Sequence, residues 1–290
     1  MSTAELATAV RPQRARGALR LLRRPTARVG AAIVVVFLLL TVLAPLFAPY
    51  DPLDQDFANA LQAPSGEHFF GTDQYGRDVL SRVMYGSRTA LLAIFVADGL
   101  ALVLGCGFGL IAGYVGTWVD SAIMRVVDVL LAFPYLLLAL CIVAALGPSL
   151  VNSMIAIGIV YTPQYARLIR GQVLSVKTTE FVLAAQAIGA NRPRVMLRHI
   201  LPNSFTPILV MATLQAGTVV VETAGLSFLG MGAQPPSPDW GAVLAEGQSY
   251  FLSAWWIETF PGLAIFAVVL GFNLLGDALR DHFDPRRRKE

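Results

Sequence analysis

Lysine is nearly missing from this chain: of 22 basic residues only Lys177 and Lys289 are lysines. Neither completes the G-x-x-x-x-G-K-[ST] loop that cradles nucleotide phosphates. Histidine is scarce as well. His68, His199 and His282 stand far apart, without the H-x-x-x-H or H-E-x-x-H spacing of a zinc site or metalloprotease. The two cysteines, Cys106 and Cys141, lie in apolar runs, where they behave as small hydrophobes and define no disulfide framework. No G-x-S-x-G elbow occurs, and no histidine falls in an apolar run to serve a serine as base. Charge is the broadest deficit, because Asp, Glu, Lys and Arg together make up 14% of the residues, which excludes an ordinary soluble domain. No metal, cofactor or nucleic-acid partner is expected on this chain.

What fills the gap is apolar: hydrophobic residues reach 56% and mean hydropathy is +0.62. Six runs match the roughly 20 helical residues that cross a hydrocarbon core of about 30 Å. They are 29–48, 89–113, 122–146, 150–169, 204–231 and 259–279. Unpaired backbone groups are not tolerated in lipid, so runs of this length are helices and the fold is an all-α membrane protein. The first run follows seven arginines and has no small-residue cleavage site behind a short apolar core, so it reads as an uncleaved anchor.

Basic residues set the orientation. Residues 1–28 hold seven, Arg167 to His199 six and the tail 280–290 five, together 18 of the 22. The stretch 49–88 carries three arginines against six acids, and 232–258 carries no base. Both termini and the stretch 170–203 are therefore expected in the cytoplasm, with 49–88 and 232–258 outside and 89–279 holding five of the six spans. The amino-terminal arginines serve as a topology signal or bind anionic membrane lipid, at about 1 kcal/mol per charge. No internal repeat of the inverted kind is visible.

Between the fourth and fifth runs lies E-F-V-L-A-A-Q-A-I-G-A-N-R-P-R-V-M-L-R-H-I-L-P-N, residues Glu180 to Asn203. Small residues give a short helix a face that another protein can approach closely. Gly189 can end that helix, and Asn191 before Pro193 can start another. The stretch resembles the cytoplasmic coupling loop of ABC-importer permeases, whose motif is E-A-A, three residues, Gly, nine residues, I-x-L-P. Ala184, Ala185, Gly189, Leu201 and Pro202 fall on it in register, whereas Leu183 replaces its Glu and His199 its Ile. The segment Gly71 to Arg82 (G-T-D-Q-Y-G-R-D-V-L-S-R) is similar to the signature of the C-type permease subunit of dipeptide, oligopeptide and nickel importers. Val127 to Pro134, Glu222 to Gly230, and Gly276 to Asp281 with Asp284 to Arg286 agree with that subfamily.

This resemblance implies the type I importer permease fold and alternating access in the plasma membrane. It also implies a B-type sister permease, two cytoplasmic ATPase subunits or one fused ATPase that bind the ATP and Mg, and an extracytoplasmic peptide-binding protein. The expected substrates are dipeptides or short oligopeptides, with nickel, glutathione or haem as alternatives on the same machinery and a channel or secondary transporter as the other class. Ala184, Ala185, Gly189, Arg192, His199, Leu201 and Pro202 are the implied ATPase-coupling residues.

Charges inside spans are costly, so each needs a pair or a watery path. Asp98, roughly 14 Å down the second span from Thr89, lines the path or is held by a structural hydrogen bond. Arg125 and Asp128, three apart, are expected to pair. Glu222 precedes Gly225, Gly230 and Gly232, where the helix is expected to unwind, so its carboxylate either binds an exposed amide or lines an outer gate beside Phe228. Gly105, Gly109 and Gly113, four apart, predict close approach of another helix. The stretch 71–88, with Arg77, Asp78, Arg82 and Arg88 on an amphipathic helix, forms a cap over the outer mouth or a contact for the binding protein. Gln234 to Trp240 with Tyr250, Phe251, Trp255 and Trp256 make an aromatic belt or a docking platform.

Overall fold

The computed structural model describes residues 25–283; the arginine-rich tail before Pro25 and the basic residues after Phe283 lie outside them. The described residues are helical, with a single isolated bridge between Thr72 and Asp78 in place of any strand. Helix α1 is Pro25–Phe47. Helices α2 (Val79–Ala93) and α3 (Gly99–Val115) run on through one π-helical stretch, Ile94–Asp98, to make a span of 37 residues. Then follow α4 (Thr117–Ala132), α5 (Tyr135–Leu146), α6 (Leu150–Val176), α7 (Glu180–Ala187), α8 (Phe205–Phe228), α9 (Trp240–Gly247) and α10 (Trp256–Phe283).

Two of the six expected spans differ from a simple crossing. The third is broken: α4 and α5 meet at 98° around Phe133 and Pro134. Pro134 has no N–H to give and forces Phe133 into an extended conformation, so the helix cannot continue. The fourth extends past Ile169 to Val176 as α6, yet it is not among the four described helices that are long and apolar enough to cross, or five if the bent pair is one span. Its place in the bundle explains this. Buried residues along its length, from Ser153 through Ile157, Tyr161 and Tyr165 to Val173, face other helices, so lipid does not dictate its composition. The count of six apolar spans is therefore not met on length and composition.

The core is organised on α6. A Cβ on Gly105 would lie 2.3 Å from Cβ of Tyr165, one on Gly109 2.6 Å from the carbonyl oxygen of Ala166, and one on Gly113 2.7 Å from Cβ of Val173. The glycine ridge of α3 thus presses directly on the α6 backbone. A second notch joins α1 to α10, where a Cβ on Gly30 would lie 2.8 Å from Cβ of Leu274 and one on Gly271 2.7 Å from Cγ2 of Ile33. Arg170 closes the base of α6 on Asp120 of α4 with two hydrogen bonds of 2.6 and 2.7 Å. Asp128 does not pair with Arg125: it accepts from Arg167 of α6 at 2.6 Å, because that side chain approaches from the neighbouring helix.

Gly107 and Gly109 give a matched test of this packing. An Ala at Gly107 meets no atom within 4 Å, whereas at Gly109 it meets backbone. Both substitutions gain helix propensity of about 1 kcal/mol, but the overpacked site loses about 1 to 3 kcal/mol. Thermal unfolding in detergent should show Gly109→Ala melting below wild type and Gly107→Ala at or above it. Equal melting temperatures for the two would contradict the α3–α6 contact.

Candidate functional site

The coupling segment folds as two short helical pieces around a glycine turn. Helix α7 is capped at Ile188, and Gly189 takes φ +85° with its N–H on the Gln186 carbonyl at 3.0 Å. Asn191 then caps the next piece, its side chain accepting from the Arg194 N–H at 3.1 Å, with Pro193 in the first turn. Inward-facing residues anchor the segment: Val182, Val195 and Ile200 pack with Leu110, Ile169, Val173 and Ile208.

The candidate coupling residues divide between the two sides. Ala184, Gly189, Arg192 and Pro202 are exposed, His199 and Leu201 are half-buried, and Ala185 is buried against the chain itself. The small-residue face is therefore shared, with Ala185 serving internal packing. What projects outward is more apolar than small: Phe181, Leu183, Leu197 and above all Ile188, which is 87% exposed. Beside them a cleft of about 540 Å³ opens between Tyr114, Lys177, Gln186 and Arg192. Lys177 donates to the Gly113 carbonyl at 2.8 Å, tying the end of α3 to the start of the segment. Leu183, where the motif has Glu, is the sequence signal for an apolar outer face.

Of the three path candidates, Asp98 is 6% exposed and accepts from the Tyr165 hydroxyl at 2.6 Å. That hydrogen bond is the structural alternative, and it locks the π-helical stretch to α6. Glu222 is half-buried within an unbroken helix. The helix does not unwind at Gly225; it runs to Phe228 and stops where Gly230 adopts φ +76°. Phe228 is 38% exposed at that end. The sequence reading missed the neighbours of Glu222, which are Tyr135 and Tyr161.

The stretch 71–88 is a clamp. Asp73 accepts from Arg77 and Arg82, both at 2.6 Å, and Glu246 of α9 accepts from the same two arginines, from Arg82 at 2.8 Å. All but Glu246 are essentially without solvent. Asp78 caps α2 at the Ser81 N–H and holds His68 at 2.9 Å. The indole N–H groups of Trp240 and Trp256 donate to the carbonyls of Val83 and Thr72. Gly71 and Gly76, at φ +73° and +75°, are needed because a Cβ would strike Trp256 and Asp56. Asp239 caps α9 at Gly241 and Ala242, and burial pushes its carboxyl above the ordinary carboxylate range. The sequence did hold a signal: 232–258 has three acids and no base opposite three arginines in 49–88.

Known proteins place the chain in a family. The family described as the binding-protein-dependent transport system inner membrane component matches residues 105–289, and the N-terminal TM domain of oligopeptide transport permease C matches residues 13–64. The chain belongs to the binding-protein-dependent transport system inner membrane component family, the permease component of ABC importers. Within it, the dipeptide transport system permease protein DppC of Alkalihalophilus pseudofirmus is 48% identical over 93% of this chain and 88% of its own. The probable D,D-dipeptide transport system permease protein DdpC of Escherichia coli is 42% identical over 99% and 98%, and a glutathione transport system permease protein, GsiD, of the same species is 44% identical over 92% and 88%. A chain of the inward-facing MetNI methionine ABC transporter superimposes with a TM-score of 0.57 at 18% identity, covering 70% of this chain and 97% of that one, and so shares the fold.

The clamp yields a direct prediction. Glu246→Ala leaves two buried guanidinium groups on one carboxylate, and breaking a buried charge network costs about 3 to 5 kcal/mol. Unfolding followed by tryptophan fluorescence should show a clear drop in stability. An unchanged transition would mean that Asp73 alone suffices.

Proposed function

We propose that this permease subunit carries dipeptides and short oligopeptides inward, with its coupling segment seated on partner ATPases that bind and hydrolyse the ATP. The observation that carries the substrate is the 48% identity over 93% of the chain to a dipeptide transport permease, with a second dipeptide permease matching nearly end to end. The apolar outer face of the coupling segment, centred on Ile188, supports docking into a groove on another protein. On this reading both termini and the coupling segment are cytoplasmic, a B-type sister completes the path, and a peptide-binding protein delivers the substrate to the outer clamp. Residues 29–48 form the anchor, 49–88 and 232–258 the outer surface, and 89–279 the transport domain, with Glu222 and Phe228 nearest the path.

Glutathione import is the second reading, favoured by the permease of that name at 44% identity; it is itself a modified tripeptide and would use the same path. Deleting this chain should leave cells unable to use dipeptides as a nutrient and resistant to toxic peptide analogues, both reversed by the restored gene. Normal peptide uptake with a defect confined to glutathione, nickel or haem would overturn the peptide assignment.

A further inference from the structure

Glu222 sits in a polar cluster for which the described residues supply no cation. Along α8, Gln215, Glu222 and Thr223 stand at i, i+7 and i+8, on one face of the helix. Tyr161 of α6 lies beside Gln215. Tyr135, the first residue after the 98° bend, lies beside the Glu222 carboxylate, and its ring is 6.5 Å from that of Tyr161 at an interplanar angle of 27°. The surroundings are apolar: Ala139, Val143, Ile157, Val219 and Leu226 form the adjoining core.

Three groups here are left wanting. Gln215 is 93% and Thr223 97% buried, and the Gln215 Nε2 and Thr223 Oγ1 atoms have no hydrogen-bond partner among the described residues. No basic side chain among the described residues acts on Glu222, whose neighbours are apolar surface and the two phenols. Unpaired buried donors and an uncompensated carboxylate are each unfavourable in such a site. Tyr135 is 51% exposed, so the cluster opens at the broken helix.

We propose that this cluster is a binding station for the protonated amino terminus of a peptide in transit, a claim that rests on the peptide reading above. Glu222 supplies the counter-charge, the faces of Tyr135 and Tyr161 stabilise the ammonium, and the Gln215 amide donates to an oxygen further along the peptide. The rise from Glu222 to Gln215 is roughly 10 Å, enough for an extended dipeptide of roughly 7 Å. Such a site recognises what all peptides share and leaves side chains free.

The test uses the whole complex with Cys106 and Cys141 replaced by Ala and a single cysteine introduced by Tyr135→Cys. Cationic 2-aminoethyl and anionic 2-sulfonatoethyl methanethiosulfonate report the local field. After correction for their rates on a free thiol, the cationic reagent should react about tenfold faster, and Glu222→Gln should bring that ratio close to one. A dipeptide at saturating concentration, held in this variant by Glu222, Tyr161 and Gln215, should slow the cationic reagent, and its N-acetylated form should not. Should Glu222→Gln fail to assemble, Glu222→Met, neutral and of similar length, takes its place. No reaction at position 135, a ratio indifferent to Glu222, or equal protection by the acetylated peptide would overturn the proposal. The reagent ratio involves no peptide, so it separates failure of the cluster from failure of the peptide assignment, which the deletion strain decides.

Discussion

The structure depends on the contact between α3 and α6. Three glycines four residues apart remove every side chain from one ridge of α3, and the α6 backbone fills the space. Nothing apolar drives helices together within lipid, so close van der Waals packing of this kind must supply the adhesion. The Tyr165–Asp98 hydrogen bond and the Lys177 cap on Gly113 fasten the same pair near its middle and at its base. Around this pair the other helices find their places, α4 through Arg170 and Asp120, α8 through the core about Ile157 and Val219.

The pair also joins the two functional regions. Tyr161 of α6 belongs to the polar cluster, and twelve residues on, Val173 packs beneath the coupling segment with Val182 and Ile200. The two ends of α6 are thus in packing contact with both regions. At the other end of the bundle three buried charged groups, Asp73, Arg77 and Arg82, with Glu246 and two indole hydrogen bonds, bind the start of α2 and the loop before it to α9 and α10.

Helical class, the glycine ridge and the two-piece coupling segment were legible in the sequence because each follows from local rules: run length, four-residue spacing, a glycine and an Asn-x-Pro turn. The break at Pro134 was written there as well, but a continuous apolar run on either side of it reads as one span. What the sequence hid was pairing across distance. Asp128 finds Arg167 and not Arg125, Arg77 and Arg82 find Glu246 more than 160 positions away, and Asp98 finds Tyr165. Ala185 likewise turned inward, since motif register alone does not say which face of α7 meets the bundle.

The glycine contact should make α3 and α6 move as one body through an ATP-driven transport cycle. Spin labels at the exposed positions Val115 and Ser175, at the ends of the two helices beside the coupling segment, measure this directly in the complete complex. The account predicts that their separation stays within about 2 Å between the nucleotide-free and ATP-trapped states. A change approaching one helical turn, about 5.4 Å, would show α3 sliding past α6 and would contradict it.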